Sequence, residues 1–237
     1  MTTAYRIGLI VPSSNVTMET ELPALFARTS ATTGRRFTFH SARMRMTSVT
    51  PEGLAAMNAQ GERCAVELAD AECDVLAYAC LVAVMAAGPG AHQQAEAALR
   101  VPAGGRTPVV TSAGALIDGI HALDAERVAM ITPYAPPLTA KVVDYLADAG
   151  IHVVDAVSLN ITDNRAVARL DPRNPLGLLD RLDLRRAEAL VLSACVQMPS
   201  LDAIEAAEEL TGLPTLSAAT ATAASLLDAL DHEPVRI

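Results

Sequence analysis

Two cysteines stand at matching places in this chain. In "DVLAYACLVAVMAAGPG" an apolar run ends at Cys80, and in "LVLSACVQMPS" another ends at Cys195. Each reads as a buried strand running out toward a helix start, where backbone N–H groups and the helix dipole lower a thiol's pKa toward a usable thiolate. Free cysteine is more often a small core residue. That reading suffices for Cys64, inside the helical stretch "GERCAVELADAE", and for Cys73, entering a strand. For Cys80 and Cys195 the repetition itself favours chemistry, because two opposed thiols can divide the work of nucleophile, acid and base. Other thiol chemistries are poorly served. There is no CxxC and no protease signature around either cysteine. His40, His121, His152 and His232 fall in no metal spacing, and His92 is expected on the solvated face of a helix. The glycines of "AAGPG" and "PAGGR" form no dinucleotide or phosphate loop. Neither a metal nor a cofactor is expected.

The elements that must position these thiols follow from the hydropathy pattern. Short apolar runs alternate with helical stretches, the signature of an α/β protein with parallel sheets. In the first half "YRIGLIVP", "FTFHSARM", "CDVLAYAC" and "TPVVTSA" read as strands. "PSSNVTMETELPALF" reads as a turn entering a helix capped by Ser or Asn, residues 51–71 as one helix, and "GAHQQAEAALR" as another. The second half repeats the order: strands at "ERVAMITPY", "IHVVDAV", "LDLRRAEALVLSAC" and "LPTLSAAT", with helices at "PPLTAKVVDYLADAG" and "SLDAIEAAEELTG". The offsets between halves stay nearly constant. Arg6 and Pro12 pair with Arg127 and Pro133 at 121, Gly34 with Gly150 at 116, Cys80 with Cys195 at 115, and Pro108 with Pro214 at 106.

The expected architecture is therefore α/β, with two pseudo-symmetric Rossmann-like units, each a four-stranded parallel sheet flanked by helices. The first unit is expected over residues 1–113 plus the C-terminal helix in 218–237, and the second over 114–217. Ligands of open α/β sheets bind beyond the carboxyl ends of the strands. If the two sheets face one another through those ends, Cys80 and Cys195 meet across one cleft, and the loops "PSSN" and "TPYAPP" line it.

Composition narrows the partners. The net charge of −9 argues against nucleic acid. The longest apolar run, residues 75–87, is short of the ~20 residues that span a membrane. The first residues carry no basic stretch ahead of their apolar run, so no secretory signal is expected and the chain reads as cytoplasmic. Four cysteines then read as free thiols. Apolar residues make up 51%, with few aromatics, which suits a core of small and branched side chains between sheets and helices.

The segments "GLIVPSSNVTMETELP", "AYACLVAVM", "ITPYAPPL", Asp163-Asn164 and "SACVQMPS" resemble, in that order and over nearly the whole chain, the Asp/Glu racemase superfamily and within it the maleate cis-trans isomerases. The amino-acid racemases of that superfamily carry Asn-Thr after the first cysteine and Thr-His after the second, whereas Leu81-Val82 and Val196-Gln197 stand here. The arylmalonate decarboxylases lack the first cysteine. The resemblance implies isomerization of maleate to fumarate through a succinyl thioether. Cys80 is then the nucleophile, and Cys195 gives a proton to the neighbouring carbon and takes it back. Asn15, at a helix start, can donate to a carboxylate, and backbone N–H groups at Leu81, Val82, Val196 and Gln197 can form carboxylate nests. Tyr134 and Asn164 match substrate-binding positions of the family; read alone, they are a turn residue and a helix cap. The resemblance further implies a homodimer, a small dicarboxylate as partner, and a place late in nicotinate degradation. Rival readings are a racemase or decarboxylase of the same superfamily, and a non-enzymatic carboxylate-binding protein built from paired lobes.

Overall fold

The structure is a computed structural model that describes residues 4–46 and 49–231. It contains two four-stranded sheets, every pairing parallel. The first holds β1 (Ala4–Pro12), β2 (Arg36–Met44), β3 (Val75–Tyr78) and β4 (Val109–Thr111) in the order β2-β1-β3-β4. The second holds β5 (Arg127–Thr132), β6 (His152–Ser158), β7 (Ala189–Ser193) and β8 (Thr215–Ser217) in the equivalent order β6-β5-β7-β8. The helices of the first half are α1 (Met18–Thr33), α2 (Pro51–Asn58), α3 (Gly61–Asp70), α4 (Leu81–Met85), α5 (Ala91–Arg100) and α6 (Ser112–His121). Those of the second are α7 (Pro136–Asp148), α8 (Asn164–Val167), α9 (Ile204–Thr211) and α10 (Ala218–Asp231), with 3-10 turns at Asn174–Arg181 and Leu201–Ala203.

The repeat read from sequence is written in backbone hydrogen bonds. Asp74 N–H reaches Arg6 O at 2.8 Å and Glu188 N–H reaches Arg127 O at 2.8 Å. Leu76 N–H reaches Pro108 O and Leu190 N–H reaches Pro214 O, each at 2.9 Å. Gly34 and Gly150 both close helices with positive φ, 73° and 80°, a conformation that disfavours residues with a Cβ. Arg6 pairs with Glu72 and Arg127 with Glu188 at the amino ends of β1 and β5, away from the thiols. The central strands β3 and β7 are buried throughout, as parallel strands covered on both faces must be, and their unbroken apolar runs follow from that.

Helix α10 packs on α1, α6, β3 and β4 as well as on β8. On that packing we propose that α10 returns to the first unit; the boundary expected at 113/114 falls inside α6, which packs on β4 and α10, so the division is drawn after His121, and residues 232–237 lie outside the described residues.

Several local expectations are corrected. The single helix expected over residues 51–71 is two helices. The Gln60 side chain turns back to Arg45 N at 2.9 Å and Ala56 O at 3.1 Å, and Gly61 opens α3 where an added Cβ would stand 3.3 Å from Leu99 Cδ2. The cap of α1 is Thr17 rather than Ser or Asn, although Asn15 Oδ1 accepts the Met18 N–H at 3.1 Å. His92 is not on a solvated face. It is half-buried, with Nδ1 2.6 Å from the Tyr145 hydroxyl of α7.

Gly8 pairs with Leu76 across β1 and β3, and an added Cβ would stand 2.4 Å from Leu76 Cδ2 and 3.2 Å from both Cys73 Sγ and Leu68 Cδ1. The second sheet carries Ala129 opposite Leu190 at the equivalent place, so the restriction comes from the packed side chains rather than from strand pairing. Gly8→Ala is expected to destabilise by about 1–3 kcal/mol through overpacking, read as a lower urea midpoint.

Candidate active site

In each sheet the chain order reverses across one pair of neighbours, β1/β3 in the first and β5/β7 in the second. The loops leaving such a pair diverge and open a crevice at the carboxyl ends. Both cysteines sit there. Ala79 N–H is tied to Ile10 O and Ala194 N–H to Ile131 O, each at 2.9 Å, so each cysteine is the next residue after its strand's tether. The loops after β1 and β5 supply Asn15 and Tyr134 to the same place.

One cavity brings together all nine residues singled out in the sequence: Cys80 and Cys195, then Asn15, Leu81 and Val82 from the first half, and Tyr134, Asn164, Val196 and Gln197 from the second. Pro12, Met46 and Val49 complete its wall. Its volume is about 20 Å³, room for roughly one water, so a larger ligand is admitted only when the wall moves. No lining residue is an Asp, Glu, Lys, Arg or His. A larger hollow of about 450 Å³ between α6 and α10 shares none of these residues and carries the carboxylates of Glu96, Asp118 and Asp228 but no thiol. Among the described residues no cluster of His, Cys, Asp and Glu could hold a metal, and His232 lies outside them.

The two sulfurs differ in their surroundings. Cys80 caps α4, and the Ala83 N–H points at its sulfur. Cys195 is met by the Gln197 N–H at 3.3 Å with the Tyr134 hydroxyl beside it, while the Met198 N–H returns to the Cys195 carbonyl at 3.3 Å. The helix start expected after Cys195 is absent. Residues 196–198 form a turn, which aims the Gln197 N–H back at the sulfur. The expectation of a lowered thiol pKa is also corrected for the empty site. Burial pushes the Cys80 thiol up to about 12, against the Ala83 N–H that favours the thiolate, with the Cys195 charge adding to the rise. Burial likewise raises Cys195, opposed by Tyr134 and the Gln197 and Met198 N–H groups. One turn of helix does not repay the desolvation of a fully enclosed sulfur. Alkylation of Cys80 by iodoacetamide is therefore expected to be slow near neutral pH in the substrate-free protein. Its rate should still climb with pH past the ordinary thiol value of 9.0, where a plateau would contradict this reading.

The polar side chains are held by contacts across the two halves. Asn15 gives one amide hydrogen to Val196 O at 3.2 Å, leaving its second amide N–H for the cavity. Asn164, the first residue of α8 behind the Asp163 cap, donates to Ser14 Oγ at 2.8 Å. Both amide hydrogens of Gln197 are engaged, by Ser14 O at 2.7 Å and Asn164 O at 2.9 Å, so its backbone is what it offers the site. Ser13 and Ser14 brace Met46 instead of facing the cavity. Burial lifts the Tyr134 hydroxyl well above its usual pKa, so it stays a neutral donor.

Sequence reasoning missed Glu21. This buried carboxyl on α1 accepts the Ser200 N–H at 2.6 Å and the Leu201 N–H at 2.9 Å, and so fixes the far end of the Cys195 loop. Beside it Thr17 Oγ1 donates to Gln197 O at 2.8 Å. The signal was present: Glu21 falls in helical step with Met18, Leu22 and Phe26 on the buried face.

The chain was compared with known proteins. The family profile described as arylmalonate decarboxylase matches residues 7–236. A maleate isomerase of Geobacillus stearothermophilus is 53% identical, over 96% of this chain and 92% of its own. Among solved structures, a Cys-to-Ala variant of the maleate isomerase Iso of Pseudomonas putida, crystallised with maleate, superposes with a TM-score of 0.94 at 52% identity, covering 97% of this chain and 93% of its own. A Cys-to-Ser mutant of the maleate cis-trans isomerase of Nocardia farcinica, holding a covalently bound succinylcysteine intermediate, superposes with a TM-score of 0.92 at 52% identity, over 97% and 94%.

Proposed function

This chain belongs to the arylmalonate decarboxylase family and, within it, to the maleate isomerases, and from that premise we propose that Cys80 adds to the double bond of maleate while Cys195 serves as acid and base. The observation that carries this reading is the pair of thiols, delivered by symmetry-related strands to one cavity lined by neutral groups and N–H donors.

The productive form carries Cys80 as thiolate and Cys195 as thiol. The Cys80 sulfur forms a bond to one vinylic carbon, and the electron pair released at the other takes the proton of Cys195. The central bond is now single and rotates. Cys195, as thiolate, then removes a proton from that carbon, the double bond re-forms in the trans arrangement, and Cys80 leaves as thiolate. Atoms and electrons balance between substrate and the two sulfurs alone. The extra donors on Cys195 suit this division of labour. Tyr134 and the Gln197 N–H stabilise the charge that Cys195 acquires only after it has given up its proton.

The substrate carboxylates are assigned to the second amide N–H of Asn15, the N–H groups of Leu81, Val82 and Val196, and the second amide N–H of Asn164, while the single Tyr134 hydroxyl hydrogen is left to Cys195. The apolar Leu81 and Val82 side chains keep water from the carbanion-like intermediate. The Gln197 N–H serves the sulfur. We place the protein in the cytoplasm as a homodimer, late in nicotinate degradation, and light scattering of the purified protein tests the dimer. The activity is tested by proton NMR of the protein with maleate and no added metal or cofactor. Loss of the maleate vinyl signal with matching growth of fumarate is expected; an unchanged maleate signal with reduced, folded protein would refute the reading.

A further inference from the structure

A dianion must reach a cavity that contains no cation, in a protein whose net charge is −9. Overall steering therefore opposes its approach, and any attraction has to be local. The chain contains a single lysine, Lys141, exposed on α7. No hydrogen bond or ion pair engages its ammonium among the described residues. By contrast Arg43, whose guanidinium holds the carbonyls of Ser13 and Asn15 behind the site, is paired with Glu19, and Arg165 beside Asn164 is paired with Asp163.

Lys141 stands where three surface hollows meet. One, of about 200 Å³, runs from Lys141 past Leu138 and Pro137 to Tyr134 and Val49. Tyr134 and Val49 are also wall residues of the thiol cavity, so this hollow lies directly outside it. A second, of about 160 Å³, joins Lys141 to Ala83, on the helix that Cys80 caps. The third, of about 220 Å³, leads away from the site and brings the acidic residues Asp144 and Asp148. Lys141 thus lines all three hollows, with the Asp144 carboxylate of the same helix sharing only the third.

We propose that Lys141 is the capture residue for the dicarboxylate: its ammonium draws the dianion into the hollow outside Tyr134 and Val49, from which it passes into the neutral thiol cavity. The proposal rests on the maleate reading and deepens it. A cation inside the cavity would bind the ground state as strongly as the transition state and add nothing to turnover. Placed outside, it raises the encounter rate and leaves the chemistry to neutral donors. Lys141 is on these grounds a specificity-determining residue, favouring dianions over monoanions of the same shape, and it takes no part in bond making.

The test is steady-state kinetics with maleate for the wild type, Lys141→Met and Lys141→Arg, across a series of sodium chloride concentrations at one pH. At low salt kcat/KM of Lys141→Met is expected to fall by roughly 3–10-fold, with kcat within about 2-fold of the wild type. The ratio of wild type to Lys141→Met should shrink toward one as added salt brings the screening length to a few ångström. Lys141→Arg should restore most of the loss. A ratio of one at low salt, or a ratio that does not change with salt, overturns the proposal, since lost packing is not screened. Failure of the wild type itself to convert maleate overturns the underlying reading instead, and the two failures are told apart in the first assay.

Discussion

Cys80→Ala is expected to leave maleate turnover lower by at least ~10⁴-fold, because removing the nucleophile removes the only route to a single central bond. No other described group can substitute. Cys195 is committed to the proton transfers, and the other two thiols, Cys64 and Cys73, lie in the core of the first half, Cys73 with its pKa pushed up to about 11 by burial and by the Asp74 charge. In the cavity wall Cys195 is left without its partner thiol, Tyr134 is held neutral, and Met46, the amides and the hydrocarbon side chains cannot form the adduct and release it. The variant should keep its fold, because Ala occupies a site where Cys80 contributes only a small buried side chain. Circular dichroism and urea unfolding beside the NMR assay separate lost chemistry from lost structure.

Cys195→Ser is expected to fail differently. The hydroxyl keeps the shape of the site but is a far weaker acid, and its alkoxide is no usable base near neutral pH. Loss of general acid–base catalysis costs on the order of 10²–10⁴-fold, and the loss should sit near the upper end because the same group acts in both directions. Addition by Cys80 can still be completed slowly with a proton from elsewhere, whereas elimination stalls for want of a base. Adduct should therefore build up on the protein while fumarate does not. The pseudo-symmetry of the strands does not make the two sulfurs equivalent. The Gln197 N–H and the Tyr134 hydroxyl face Cys195 while the Ala83 N–H faces Cys80, a difference that supports the proposed division of roles.

Much of this site could be read from the chain because it is built on strand ends. The burial of β3 and β7 on both faces forces unbroken apolar runs, and the first polar or reactive residue beyond each run marks the mouth of the sheet. Repetition of the sheet order placed Cys80 against Cys195 without any knowledge of distance. Tyr134 and Asn164 were not legible in this way. Their local surroundings, a turn and a helix start, are ordinary, and only the family resemblance marked them. Glu21 was hidden for another reason. Its partners, Ser200 and Leu201, lie about 180 positions away, and helical periodicity records which face is buried but not what it is buried against. The thiol pKa values went the other way from expectation because a sequence displays the donors near a sulfur and not the volume of protein that excludes water from it. The break between α2 and α3 likewise depends on the Gln60 side chain reaching Arg45, a contact between different elements.

The central claim is that bond rotation happens on a protein-bound adduct of Cys80. It is tested most directly by incubating Cys195→Ser with maleate, denaturing, and locating the adduct by peptide mass spectrometry. The expected result is one maleate-derived addition on the peptide that contains Cys80, with Cys64 and Cys73 unmodified. No addition in protein that is folded and reduced, or an addition at Cys64 or Cys73 with Cys80 free, would contradict the account.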